Sequence, residues 1–182
     1  MKNPVWRGRI LLLSLIFVFS MPVISAKLIL ANNWYEPGVT NRGLLVEPST
    51  TYTLLGVDNP LEKHSWQLAY MIPEVCDSFC QTQLHLLGQS YAALGKDKSR
   101  VEPVVLVTER SDPQVVSDID YQMIEVTSAF TDRIQGFEYV IVDPLGQLVM
   151  RYPKAAQEND LVSQSKGLLA DFRKLLKLSR VG

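Results

Sequence analysis

The sequence predicts a single α/β domain preceded by one membrane-directed apolar segment. Two observations predict this: an uncharged stretch near the N-terminus, and short apolar runs that alternate with helix-like spacing after Pro60. A chain of 182 residues is long enough for one such domain to bury its own core. Lys and Arg total 18 against 19 Asp and Glu, which argues against a nucleic-acid-binding surface.

The N-terminal segment has the pattern of a secretory signal or a signal anchor. Lys2, Arg7 and Arg9 precede an uncharged apolar stretch that begins at Ile10. Basic residues before an apolar run keep that end of the segment in the cytoplasm. The domain that follows is therefore expected outside the cytoplasm.

The sequence allows two alternatives for this segment, which are cleavage by a signal peptidase and retention as a membrane anchor. A cut after Ser25 or Ala26 would release the domain, whereas Leu28 to Ala31 extend the apolar run to 22 residues. A span of roughly 20 residues crosses a hydrocarbon core. We favour retention, with residues 1–31 as a cytoplasmic N-terminus and a transmembrane signal anchor.

Residues 32–60 are polar and rich in turn signals such as Pro37-Gly38 and Glu47-Pro48. We interpret them as a linker that becomes a first hairpin around Thr51 to Val57. Residues 61–182 are then the folded domain.

The first half of this domain alternates strand and helix. The run Trp66 to Ile72 is closed by Pro73, as expected of a buried strand. A helix follows and stops at Gly95, and Val101 to Val107 is a second strand. The helix is indicated by apolar residues at helical spacing, namely Leu84, Leu87, Tyr91 and Leu94.

The second half supplies the remaining elements. They are a short helix from Asp112-Pro113, a strand Tyr121 to Val126, a short helix capped by Thr127-Ser128, strands Phe137 to Val142 and Gln147 to Tyr152 around an Asp143–Gly146 turn, and a helix from about Asp160 to Leu178. The order β-α-β-α-β-β-α describes a thioredoxin-like domain.

Cys76 and Cys80 are the candidate reactive residues. They follow the first strand and open the first helix, where a spacing of four lets both sulfurs meet or grip one soft ion. A helix N-terminus favours the thiolate, which assists thiol exchange and metal binding. Glu74 and Asp77 oppose this, because acidic neighbours raise the pKa of a thiol. A structural disulfide is the alternative.

The strand–CxxxC–helix arrangement resembles the Sco family of copper-handling, cytochrome c oxidase assembly proteins. The resemblance rests on Cys76-x-x-x-Cys80, the N-terminal anchor and the aliphatic-Asp-Pro-x-Gly turn at Val142 to Gly146. The tracts Trp34-Tyr-Glu-Pro, Asn41 to Pro48 and Gly95 to Val101 are similar to a divergent bacterial branch of that family.

The resemblance implies a thioredoxin fold in the periplasm, anchored to the inner membrane by a single pass. It also implies copper held by two Cys and one distant His, with Cys76 and Cys80 as the two thiol ligands. The position of the His falls near Gln135, and no His follows His85.

Two thiolates alone can hold Cu(I), and Met71 or Gln135 are candidates for a weak third ligand. We expect His64 and His85 to lie away from the pair, because a strand separates His64 from it and the helix turns His85 aside.

Three functions are therefore open. Cys76 and Cys80 could form a redox pair, in which Cys76 attacks and Cys80 resolves, or a Cu(I) site. Alternatively, the domain is an assembly scaffold, and the cysteines form a disulfide that only stabilises its structure. In each case the resemblance implies a cytochrome c oxidase subunit or another assembly factor as partner.

Overall fold

The structure, a computed structural model, describes residues 4–31 and 41–179. The chain divides into two compact units, Met1–Thr40 and Asn41–Gly182. The first unit contains α1 (Pro4–Ala31). The second contains β1 (Leu44–Thr51), β2 (Trp66–Met71), α2 (Ser78–Ala92), β3 (Val101–Val107), α3 (Pro113–Asp118), β4 (Gln122–Glu125), α4 (Ser128–Thr131), β5 (Tyr139–Val142), β6 (Gln147–Tyr152) and α5 (Glu158–Leu178).

Helix α1 is a candidate membrane span by length and composition. Its apolar part runs from Trp6 to Ile29, and at about 1.5 Å per residue those 24 residues exceed a 30 Å hydrocarbon core. Pro22 lies inside the helix without ending it. The predicted N-terminal apolar helix is confirmed as a candidate span, and whether the segment is cleaved stays a prediction.

The second unit is a six-stranded sheet in the order β1-β6-β5-β2-β3-β4. Strands β2, β3 and β4 are parallel, and the pairs β2–β5, β5–β6 and β6–β1 are antiparallel. The central strand β2 is buried along its whole length. A strand buried on both faces has a continuous apolar run, which is why it was visible in the sequence.

The side chains of β2 alternate between two hydrophobic clusters. Trp66, Leu68 and Tyr70 belong to a cluster that includes Leu87 of α2 and Phe172 of α5. Ala69 and Met71, which alternate with these residues along β2, belong to a second cluster. That cluster also contains Tyr52, which follows β1, and Phe130 of α4. The two clusters make the mixed α/β, thioredoxin-like architecture that the sequence predicts.

The segment before β2 differs from its prediction. Residues 44–51, assigned to the linker, form the edge strand β1 on β6, and the hairpin expected at Thr51–Val57 is instead a 3-10 turn at Thr53–Leu55. Pairing shifts between Leu45 and Thr50, so Pro48 lies in a bulge. Proline lacks an N–H donor and is tolerated at such an edge irregularity, so Glu47-Pro48 was a misleading turn signal.

The start of β5 also differs. Phe137 was predicted as its first residue, but it precedes the strand and has φ of 71°. Such a left-handed conformation is uncommon for a bulky residue and ends strand geometry at this point. The loop before β5 is therefore longer than predicted, and it lies beside the cysteine loop.

Candidate functional site

The two cysteines form a disulfide at the end of β2. Cys76 lies in the loop after the strand and Cys80 in the first turn of α2, with their Cα atoms 5.1 Å apart. Cys76 is 8% exposed and Cys80 is fully buried. The predicted proximity is found, but Cys76 does not open the helix as expected, because Asp77 is the N-cap.

Asp77 satisfies the first turn of α2. Its Oδ1 accepts a hydrogen bond from the Cys80 N–H at 3.0 Å. The sequence contained the signal for this role, since an Asp directly before a helix is a preferred N-cap. We had treated Asp77 and Glu74 only as acidic neighbours that oppose thiolate formation.

Asp112, which lies outside the cysteine loop, accepts a hydrogen bond from the other cysteine's backbone N–H. Its Oδ2 accepts the Cys76 N–H at 2.9 Å, and its Oδ1 caps α3 through the Gln114 N–H at 3.0 Å. Hydrogen bonding from the Cys76 N–H holds the pKa of Asp112 below its usual range, against a smaller opposing effect of burial. The carboxylate is therefore ionised at neutral pH.

The whole segment between β3 and α3 is fastened to the cysteine loop. The Asp112 N–H donates to the Pro73 carbonyl at 3.0 Å, and the Ser111 hydroxyl donates to the Ile72 carbonyl at 3.1 Å. An exposed ion pair joins Arg110 to Glu74 at 3.2 Å. These bonds connect residues nearly forty positions apart, so no local pattern could have predicted them.

A buried polar network lies beneath the disulfide. The Tyr70 hydroxyl donates to Gln83 Oε1 at 2.9 Å, and Gln83 Nε2 donates to the Phe137 carbonyl at 3.0 Å. The Tyr139 hydroxyl donates to the Gln83 carbonyl at 2.6 Å. Burial raises the pKa of both tyrosines, which keeps them protonated donors. Gln83, three residues after Cys80 on the buried face of α2, was missed by the sequence analysis.

The loop before β5 packs closely on the cysteine loop. A Cβ added to Gly136 would lie 3.0 Å from the Pro73 Cα, so a side chain at this position would require Pro73 to shift by a few tenths of an ångström. The Phe137 N–H donates to the Met71 carbonyl at 3.0 Å. Lys154 lies over the Phe137 ring, with its ammonium 3.6 Å from the ring centroid.

The candidate third ligands line a cleft of about 960 Å³ beside the cysteine loop. Met71 and Gln135 are part of its lining, whereas neither cysteine is. Met71 is also 3% exposed and packs in the second cluster, as a core residue does. Cys76 instead lines a groove of about 360 Å³ together with Asp112 and residues of α2 and α3.

Neither histidine lines the cleft or the groove beside the cysteine loop. His85 is exposed on α2, where its ring bonds to Gln89 at 2.7 Å, and His64 is exposed before β2. Within residues 4–31 and 41–179, no group of three or more His, Cys, Asp or Glu side chains is arranged to hold a metal ion.

The sequence from residue 66 to 179 matches the model of a domain family described as a transmembrane-like, thioredoxin-like, C-terminal domain. The chain belongs to this family. The matched residues begin at β2 and include the disulfide, the groove and α5. No sequence among curated proteins matches the chain.

Several solved structures are similar to this one. Apo Sco1 from Thermus thermophilus is 14% identical with a TM-score of 0.50, over 77% of this chain and 99% of that one. Copper-bound yeast Sco1 is 18% identical with a TM-score of 0.46, over 65% and 82%. The Bacillus protein BsSco, of the Sco family of cytochrome c oxidase assembly proteins, is 13% identical with a TM-score of 0.45, over 76% and 97%.

The likeness to the Thermus protein, at 14% identity, shows the fold. The resemblance to Sco proteins noted in the sequence is thus confirmed at the level of the fold. The chemistry of the cysteine pair must be argued from this chain's own residues.

Proposed function

We propose that this protein is a membrane-anchored thiol–disulfide protein that assists assembly of cytochrome c oxidase. The observation that carries the proposal is the Cys76–Cys80 disulfide at the junction of β2 and α2 in a thioredoxin-like domain. The junction is at the carboxyl end of β2, where Cys80 is buried and Cys76, 8% exposed, lines a surface groove. A partner cysteine can reach that groove.

The proposal includes a location. Residues 1–31 are the cytoplasmic N-terminus and inner-membrane anchor, 32–60 connect the anchor to the domain and contribute β1, and 61–182 are the rest of the periplasmic domain. Support comes from the basic residues before the apolar stretch of α1 and from the candidate span itself. A periplasmic site also suits a disulfide, because that compartment is oxidising.

The proposed reaction is exchange with a disulfide in an oxidase subunit or another assembly factor. In the reduced protein, the Cys76 thiolate attacks one partner sulfur, forms a mixed disulfide and releases the other partner sulfur, which takes up a proton. The Cys80 thiolate then attacks Cys76 Sγ and releases the first partner sulfur as a thiol. Two electrons pass to the partner, the Cys76–Cys80 disulfide forms, and a dithiol protein must reduce it again.

The test measures the redox equilibrium of the full-length protein in detergent with reduced and oxidised glutathione. We expect exchange at a potential above about −300 mV, since structural disulfides lie below that value. In the native host, Cys80→Ser should accumulate a mixed disulfide with an oxidase subunit or an assembly factor. The matched control Cys76→Ser should not, because it lacks the attacking sulfur.

Cu(I) handling is the second candidate, and the close approach of the two sulfurs favours it. Cu(I) is soft and accepts two thiolate ligands, so the reduced pair fits it without a third group. Anaerobic titration of the reduced full-length protein against a competing chelator should then give one Cu(I) per chain. The Cys76→Ser, Cys80→Ser double variant should lose it.

A scaffold with a structural disulfide is the outcome that would overturn both. It is indicated if the potential lies below about −300 mV, Cu(I) is not retained, and the double serine variant still assembles oxidase at the normal level.

A further inference from the structure

The groove that Cys76 lines, called here the α2–α3 groove, has an apolar part. Leu84 of α2, Val115 of α3 and Ile119, directly after α3, line it together with Cys76. All three are partly buried and pack at the margin of the first hydrophobic cluster. Part of their apolar surface therefore stays in water, and a partner side chain that covers it gains the free energy of burial.

The charged side chains of this groove are all of one sign. Asp112 and Asp118 line it, and among the residues that the structure describes no Lys or Arg does. Asp118 is exposed at the end of α3, where its Oδ1 accepts only a long bond from the Ser117 hydroxyl, at 3.3 Å. An apolar surface with acidic groups beside it favours an occupant that is apolar and positively charged.

The cations beside the cysteine loop line the larger cleft instead. Arg110 and Lys154 are both part of that cleft, where Arg110 pairs with Glu74 and Lys154 lies over the Phe137 ring. The cleft thus combines both signs of charge, whereas the α2–α3 groove does not. The two surfaces next to the disulfide would therefore favour different segments of a partner.

The place of Cys76 connects this groove to the proposed exchange. Cys76 is the cysteine with some exposure, at 8%, and Cys80 is fully buried. A partner sulfur that reaches Cys76 through the groove brings its own neighbouring residues onto the groove lining. Contacts made by those neighbours then affect how fast the sulfurs meet.

Building on the proposed function, we propose that the α2–α3 groove selects the partner by the residues around its target disulfide. The segment it fits is a basic polypeptide with an apolar residue next to the cysteine. The apolar residue covers Leu84, Val115 and Ile119, and a Lys or Arg pairs with Asp118. Asp118 is a specificity residue in this scheme, because its charge attracts basic segments and repels acidic ones.

The test follows oxidation of the reduced full-length protein, in non-ionic detergent at low salt, by disulfide-linked dimers of synthetic peptides. The first peptide has one cysteine, a neighbouring leucine and two lysines; the second has glutamates for the lysines, and the third has serine for the leucine. Each reaction breaks one peptide disulfide, forms the Cys76–Cys80 disulfide and releases two peptide thiols.

Each rate is divided by the rate of dithiothreitol with the same peptide, because lysines alone make the peptide sulfur a better leaving group. After this correction we expect the lysine peptide to react about tenfold faster than the glutamate peptide. It should react roughly threefold faster than the serine peptide, which cannot cover the apolar part of the groove.

Substitution of Asp118 should lower the preference for lysine over glutamate. Asp118→Asn should lower it about threefold, since one exposed ion pair and one exposed repulsion are removed, and Asp118→Lys should lower it more. The matched control Asp97→Asn makes the same charge change in the Gly95–Arg100 turn after α2, outside the groove. It should change the preference by less than about 1.5-fold.

The outcomes separate the inference from the function. If neither the peptides nor hydroxyethyl disulfide, a small neutral probe, oxidises the reduced wild type, the proposed thiol function fails and the inference fails with it. If the wild type reacts but the lysine and glutamate peptides have equal corrected rates, the inference is wrong while the function stands. A preference that Asp97→Asn lowers as much as Asp118→Asn also overturns it, because net charge rather than the groove would then select the partner.

Discussion

Two aspartates, Asp171 and Asp112, each fasten a distant backbone segment, yet they do so in different surroundings. Asp171 is 3% exposed on α5, and its Oδ2 accepts the N–H groups of Arg42 and Gly43 at 2.7 and 3.0 Å. The Tyr152 hydroxyl donates to the same oxygen at 2.8 Å. Asp112, in contrast, is partly exposed beside the disulfide.

The difference shows that the same kind of contact contributes differently to stability according to burial. Around Asp171 the packing is tight: a Cβ on Gly43 would lie 2.5 Å from the Tyr152 ring. Buried donors that lose their acceptor cannot turn to water, so the bonds of Asp171 contribute to folding. Water can replace much of what Asp112 provides, because its side chain is partly exposed.

The largest expected effect is that of Asp171→Ala on stability. It would remove the acceptor of the Gly43 N–H, which is buried, of the Arg42 N–H, which is partly buried, and of the Tyr152 hydroxyl, which also lies 3.1 Å from Met150 Sδ. We expect this to cost about 2–3 kcal/mol. Urea unfolding of the full-length protein in detergent, followed by tryptophan fluorescence, measures the loss. Asp171→Asn, which keeps one acceptor, should lose less. A loss below about 1 kcal/mol would contradict the assigned role.

An intermediate effect is expected at Gln83, which lies between the core and the cysteine loop. Gln83→Leu leaves the Tyr70 hydroxyl and the Phe137 carbonyl unpaired, so the free energy of unfolding should fall by about 1–3 kcal/mol. Adding Tyr70→Phe removes one orphaned group and should recover part of the loss. A double variant no more stable than Gln83→Leu would mean that the hydroxyl finds another partner.

The smallest effect on stability is expected for Asp112→Asn. The pKa of Asp112 is lowered in the folded protein, so its stabilising contribution is present at neutral pH and lost as the pH falls below its ordinary value of 3.8. Urea midpoints of variant and wild type should therefore be close, and should converge in acid. A large gap at pH 7 would give Asp112 the structural role of Asp171.

The sequence alone allowed most of the fold to be predicted, because the elements from β2 onward carry local patterns. The run 66–72 was predicted as a strand from its largely apolar character and its closure by Pro73, and α5 as a helix from its spacing. β1 was missed because Pro48 imitates a turn, and only its pairing with β6 identifies the strand. The left-handed Phe137 had no local signal either.

For the candidate site, spacing alone predicted that the sulfurs of Cys76 and Cys80 lie close enough to meet or to bind one soft ion between them. Four residues of chain limit how far they can separate, so this did not depend on the rest of the fold. The position of Asp77 directly before α2 is typical of an N-cap residue, but the sequence analysis considered only the effect of its charge on the thiols. Gln83 and Asp112 could not be assigned, because their roles exist only once strands, helices and loops are packed.

The sequence by itself thus determined the order of elements from β2 onward, the apolar N-terminal helix and the proximity of the cysteines, since each depends on periodicity or on short chain distances. Tertiary structure decided which groups surround the pair. It brought Asp112 to the Cys76 N–H across 36 residues, and it brought Asp171 to the start of β1 across 128. Such contacts follow from packing, which has no short-range signature in the chain.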